Sequence, residues 1–265
     1  MRLAPIALAS LALILATPAL ADDGALDRLI ADYEAYSLSL DPIEAAALGD
    51  RAALSRLPDD SPAADAARVK GLGSLKARLA AIDAASLSEE GRINREFLAW
   101  TLDRRLQSLA FDENRMPFSS DGGFHWTMSY LASSVPMRSA ADARAWIDRI
   151  DAVPAYYATE IANARRGAKD GFTQPRMTVL QVIAFAREQA AAPIESDPMM
   201  GPLHRLPASI PAAEQDALRQ RAAAAIAARV RPAQARFVTF LETEYLPKAR
   251  KSLAARTLPN GERYY

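Results

Sequence analysis

The chain of 265 residues contains no cysteine. That excludes disulfides, thiolate metal sites, a cysteine nucleophile and an acceptor for N-terminal lipidation, so the fold must be held by burial alone. Only two histidines are present, His125 and His204, and neither belongs to a His-Glu-x-x-His pair. A zinc site within this chain would need both rings and carboxylates gathered by folding. No serine stands in a Gly-x-Ser-x-Gly elbow, and Gly71-Leu72-Gly73 lacks the third glycine and the preceding strand of a phosphate-cradling loop. Aromatics make up 7% of the residues while 50% are hydrophobic, so Ala and Leu carry the apolar load, a composition that favours helices. There is no fixed-period repeat and no run of alternating strands.

What the chain does have begins at residue 1. Arg2 precedes the apolar run "LAPIALASLALILATPALA", which closes on Ala19-Leu20-Ala21 ahead of Asp22-Asp23. The pattern is that of a secretory signal peptide over residues 1–21, with cleavage near Ala21 and export to the periplasm or medium. The run is too short and too rich in alanine for a stable membrane insertion. Cleavage there removes one charged residue, leaving 31 basic against 32 acidic and a formal charge of −1. Neither nucleic acid nor an anionic lipid surface is indicated as a partner.

Residues 22–265 read as one helical domain, an all-α, irregular multi-helix bundle with two long ordered loops. Leu26, Leu29, Ile30, Tyr33 and Tyr36 form a stripe at helical spacing that ends at Asp41-Pro42. Ser61-Pro62 starts a helix expected to reach Ala85, and Ser88-Glu89-Glu90 starts another whose inward face is Ile93, Phe97, Leu98, Leu102, Leu106 and Leu109. Ser139 and Asp142 cap a helix carrying Trp146, Ile147 and Ile150. Pro154 is expected to begin the next, which Gly167 and Gly171 punctuate. A further helix runs from about Arg176 to Ala191. Pro232 marks the boundary between the last two helices, and Pro247 kinks or caps the second.

The irregular stretches lie at 111–137, with a short helix near Trp126 to Ser133, and at 192–211, which holds five prolines. The first contains "SSDGGFHWTM". Asp121, Gly122, Gly123, His125 and Trp126 are candidate cleft residues there, the glycines admitting close backbone approach and the rings offering a polar edge and an aromatic wall. The plainer reading, which we prefer from sequence, anchors Phe124 and Trp126 in the core and hydrogen-bonds His125 to backbone. In the second stretch, the methionines of "DPMMGPLHRLP" read as filler of irregular core space.

Two further pieces complete a pattern: "RIDAVPAYYATEI" running on to "GFTQPR", and the closing "LPNGERYY" with Tyr264 and Tyr265. With the export signal and "DPIEAAALGD", they resemble the N-terminal part of the bacterial domain-of-unknown-function family 885. The resemblance implies a relationship to zinc metallopeptidases of the gluzincin type. It also implies a second half beyond Gly-x-x-Tyr-Tyr that carries the zinc-binding His-Glu and Gly-His-His residues. On that reading this chain is a truncated form or portion, without catalytic residues, metal ligands or cofactor of its own, zinc being expected in the full-length protein. Its residues would form a wall or lid of a peptide-binding cleft, with Tyr264 and Tyr265 as further cleft candidates, a peptide substrate, and the missing C-terminal half as partner. The alternative is a self-contained periplasmic helical binding module without enzymatic activity; a hydrolase using His125 or His204 on its own is a third reading.

Overall fold

Capping chemistry sets the first helices. α1 (Gly24–Leu40) stops at Asp41, whose carboxylate accepts the Ile43 and Glu44 amide hydrogens and so opens α2 (Pro42–Ala47). Ser61 caps α3 (Pro62–Ala80) through the Ala64 amide, and Ser88 caps α4 (Glu89–Phe111) through that of Gly91. The computed structural model describes residues 23–264, so the signal peptide read in residues 1–21 and Tyr265 lie outside the described residues.

α1, α3 and α4 bury a leucine core of their own, with Leu26, Leu29, Leu72, Leu75, Leu98 and Leu102 at its centre. Gly71 weakens α3 by propensity but has a packing reason, because a Cβ there would strike the Tyr36 ring and hydroxyl. The inward face of α4 differs from the sequence expectation. Ile93 and Phe97 are 61% and 66% exposed, and the buried positions are Gly91, Leu98 and Leu102. Rotation of the helix is set at its start, where Asp23 accepts the Ser88 amide and hydroxyl hydrogens and lies directly against Gly91. α4 then meets its neighbours through one narrow face.

The larger core is built round α6 (Ala140–Asp170), whose Trp146, Ile147, Ile150, Val153, Tyr157 and Ala164 are buried. Packed on it are α5 (Phe124–Ser134), α7 (Arg176–Ala191), the single-turn α8 (Gly201–His204), α9 (Ala212–Ala225) and α10 (Arg231–Phe240), with α11 (Gly261–Tyr264) closing the described chain. Among the described residues there is no sheet, only two isolated β-bridges. No described helix is long and apolar enough to cross a membrane.

Two proline expectations are corrected. Pro154 lies inside α6 and starts no new helix. It forfeits a single backbone bond, and the helix runs on because its buried face holds both sides of the proline in place. Pro232 likewise opens no gap: α9 passes through a π turn, Ile226–Val230, into α10, with the Arg231 amide bonding back to the Ile226 carbonyl. Widening the helix by one residue just ahead of the proline gives its ring room. A second π turn, Leu241–Tyr245, follows α10, and a 3-10 turn at Leu246–Lys248 ends the rod beside Pro247.

Candidate functional site

The turn before α5 positions the site. Gly123 has φ +125°, and a Cβ there would run into the backbone of Pro117 and Phe118. Its close approach is therefore to its own chain, sealed by the Phe118–Gly123 bridge and the Ser119 amide bonding to the Gly122 carbonyl at 2.8 Å. Asp121 accepts from the Ser119 hydroxyl at 2.8 Å at the exposed tip. Neither Asp121 nor the two glycines line the cavity described next. The turn starts α5 so that its first residues, Phe124 and His125, point into the core.

His125 is 3% exposed, ringed by Phe118, Phe124, Phe185 and Phe237 at centroid distances of 5.8 to 6.5 Å. Burial pushes its pKa down to about 4, so the ring is neutral at physiological pH. Its Nδ1 is buried without a hydrogen-bond partner, so the expected backbone bond is not made there. Trp126 stacks on Phe185 with centroids 3.9 Å apart and planes at 13°. Both residues line a cavity of about 240 Å³ between α5, α6, α7 and the first π turn.

The remaining polar groups of that cavity come from positions with no sequence signature. Asp197, from the second irregular stretch, is buried and pairs with Arg231 at 3.0 Å. Burial holds its carboxyl above the usual range against the pull of the Met199 amide and of Arg231. Arg231 also donates to the Gln189 and Ala192 carbonyls and, at 2.9 Å, to Gln234 Oε1, so its fork is fully engaged. Gln189 Oε1 is a second buried atom without a partner. The π turn brings Val230 and Arg231 to this place, as such turns often do at functional sites. Arg231-Pro232 and Asp197-Pro198 were visible as punctuation; nothing in the sequence says that they meet.

Tyr264 lies elsewhere, packed edge-on against Phe111 and Phe172 at 5.3 and 5.5 Å. His204 is exposed at the end of α8. A second buried polar group sits where α6 passes residues 58–61: Glu160 is 2% exposed with Oε1 unpartnered. Burial, and then the neighbouring Asp60 carboxylate, raise Glu160 to about 8. Among the described residues no group of three or more His, Cys, Asp or Glu side chains is placed to hold a metal ion. These residues therefore do not fit a zinc centre, and no metal-dependent step is derived from them.

No curated protein matches the chain. A solved structure that matches is "the putative lipoprotein from Colwellia psychrerythraea", with a TM-score of 0.75 at 16% identity. The match covers 91% of this chain and 45% of that one, so this chain spans less than half the length of its structural neighbour. At that identity the likeness speaks for the shared helical architecture alone. A family model described as bacterial protein of unknown function matches residues 42–265, and the chain belongs to that family, DUF885.

Proposed function

We propose that this chain supplies a ligand-binding helical wall of a longer, exported peptidase-type protein and carries out no chemistry alone. The observation that carries the reading is the cavity beside His125 and Trp126, an aromatic-walled chamber of about 240 Å³ that contains two buried polar atoms without partners. Such a chamber suits one uncharged side chain of a peptide. Its lining is largely apolar, its histidine is neutral, and of its two carboxylates Asp197 is paired with Arg231 while Glu188 stands exposed at the mouth, so the chamber offers an anion no free positive charge. His125 Nδ1 and Gln189 Oε1 are left to hold a hydroxyl or amide of the guest.

The peptidase element of the reading is supported by the resemblance of the "RIDAVPAYYATEI" and "LPNGERYY" runs to the zinc-peptidase-related family. Zinc and the catalytic glutamate belong on this view to residues outside the chain. The described residues have no membrane-crossing helix, which is compatible with an exported protein, as is the lipoprotein neighbour.

The test is a titration of the purified chain with short tyrosine- or leucine-containing peptides, followed by tryptophan fluorescence and repeated in Trp126→Phe, together with a hydrolysis assay with and without zinc. Saturable binding that Phe185→Ala weakens, with no hydrolysis under either condition, is the expected outcome. Hydrolysis by the chain alone, or absence of binding, refutes the proposal. One observation favours the second reading, a self-contained binding module: Met128, Val153, Tyr157, Phe185 and Val230 give the cavity a largely apolar lining that suits a small apolar ligand as well as a peptide side chain. Tight binding of small apolar ligands without any affinity for peptides would decide for it.

A further inference from the structure

A second cavity, about 280 Å³, opens where α5 ends and α6 begins, against α2 and the short 3-10 turn Arg51–Ser55. Its walls include Ile43, Leu54, Leu131 and Val135, and two arginines reach it, Arg138 and Arg149. Arg149 is 1% exposed, the most buried arginine among the described residues. It has no carboxylate partner among them. One donor, on Nη2, goes to the Ala53 carbonyl at 2.7 Å, and Nε is buried without any partner.

That is an unusual place for a charge. An uncompensated guanidinium in an apolar setting is costly, and here burial lowers its pKa to about 10 with no opposing charge to restore it. The acidic residues flanking it on α6 are all engaged elsewhere: Asp142 with Arg51 at 2.5 Å, Asp148 with Arg221 at 3.0 Å, and Asp151 with Arg229 at 3.2 Å. The carbonyl end of α5 lies on the cavity and offsets part of the cost, but it accepts no hydrogen bond from the guanidinium. Arg231, by contrast, is less deeply covered, its side chain 14% exposed, and has Asp197. Arg138 is exposed at the rim and makes no ion pair among the described residues.

We propose that this cavity is a binding site for a small aliphatic monocarboxylate, its head on the unpartnered edge of Arg149 with Arg138 closing over it and its chain along Ile43, Leu54, Leu131 and Val135. Planar guanidinium donors match a carboxylate in shape, and one buried positive charge matches a single negative one. A phosphate, having no hydrocarbon chain, would leave the apolar walls uncovered, and its second charge would be met only by Arg138 at the exposed rim. The size of the cavity limits the guest to a short acid or the last residue of a peptide.

The experiment titrates the purified chain by calorimetry with sodium hexanoate and, as the uncharged counterpart, hexan-1-ol. A leucine-terminated peptide with a free carboxylate and its carboxamide form the second arm. Hexanoate is expected to bind saturably and to raise the thermal midpoint, with hexanol at least about tenfold weaker, the scale of a lost charge-assisted hydrogen bond. Arg149→Met is expected to abolish binding. Should that variant fail to fold, Arg138→Gln still reports, with affinity reduced several-fold. Binding of the free-acid peptide alongside hexanoate assigns the site to chain termini, and binding of hexanoate alone assigns it to free acids. If neither carboxylate outperforms its neutral counterpart, or Arg138→Gln leaves affinity unchanged, the proposal falls.

Discussion

Glu160 and His125 are both buried and both lack a partner on one polar atom, yet they move stability with pH in opposite directions. Glu160, raised to about 8 from the ordinary 4.5, binds its proton more tightly folded than unfolded. Its contribution is complete below about 4.5 and is lost as pH rises through 8. His125, lowered to about 4 from 6.5, binds its proton less tightly folded. Its contribution is complete above 6.5 and is lost as pH falls through 4. Thermal melts from pH 4 to pH 9 therefore separate them: Glu160→Gln should flatten the alkaline decline, and His125→Gln the acid one. An alkaline limb unchanged in Glu160→Gln would mean that its proton is not held in the folded state.

At the scale of the helix, local signals and tertiary packing compete, and proline shows which prevails. The caps at Ser61 and Ser88 are readable because a short polar side chain meets the free amides of the very next turn, whereas Asp41-Pro42 reads only as the end of α1 although Asp41 also opens α2. Helix breaks at Pro154 and Pro232 were misread because the same residue can be overruled by distant contacts: a buried face along α6, a π turn ahead of α10. Replacing Pro154 by Ala restores the missing amide donor to the Ile150 carbonyl. Stability should rise, by up to about 3 kcal/mol, in urea denaturation. A less stable variant would show that the proline ring itself packs productively. The cleft followed the same division. The turn at Gly122-Gly123 and the ring pair His125-Trp126 stand out in one short run of sequence, whereas Asp197, Gln189 and Arg231 are brought to them only by folding. Arg149 gave no sign at all, since an arginine inside an amphipathic helix reads as surface until its neighbours are known.

At the largest scale the described residues form two cores, the leucine core of α1, α3 and α4 and the larger one round α6. Polar contacts join them: Asp112 with Arg166, and the Asn163 amide with the Asp60 carbonyl at 2.8 Å. On the smaller unit, Ile93, Phe97 and Trp100 stand out from α4 as an exposed apolar row, with Phe97 and Trp100 stacked at 6.0 Å. Rows of this kind are liable to associate. Ile93→Ser with Phe97→Ser should change the unfolding free energy by no more than is usual for two surface substitutions, about 1 kcal/mol or less. The same pair should reduce binding of a hydrophobic dye, and a large loss of stability would show that the row is packed in solution.

The length of α6 has one more effect. The same two helices, α5 and α6, contribute to both chambers: Met128 and Val153 to the aromatic one, Leu131 and Arg149 to the arginine one. Arg149 and Val153 are a single turn apart, and Met128 and Leu131 nearly so. The two chambers are thus adjoining rooms on one corridor, set a single turn apart along the same side of the helix pair.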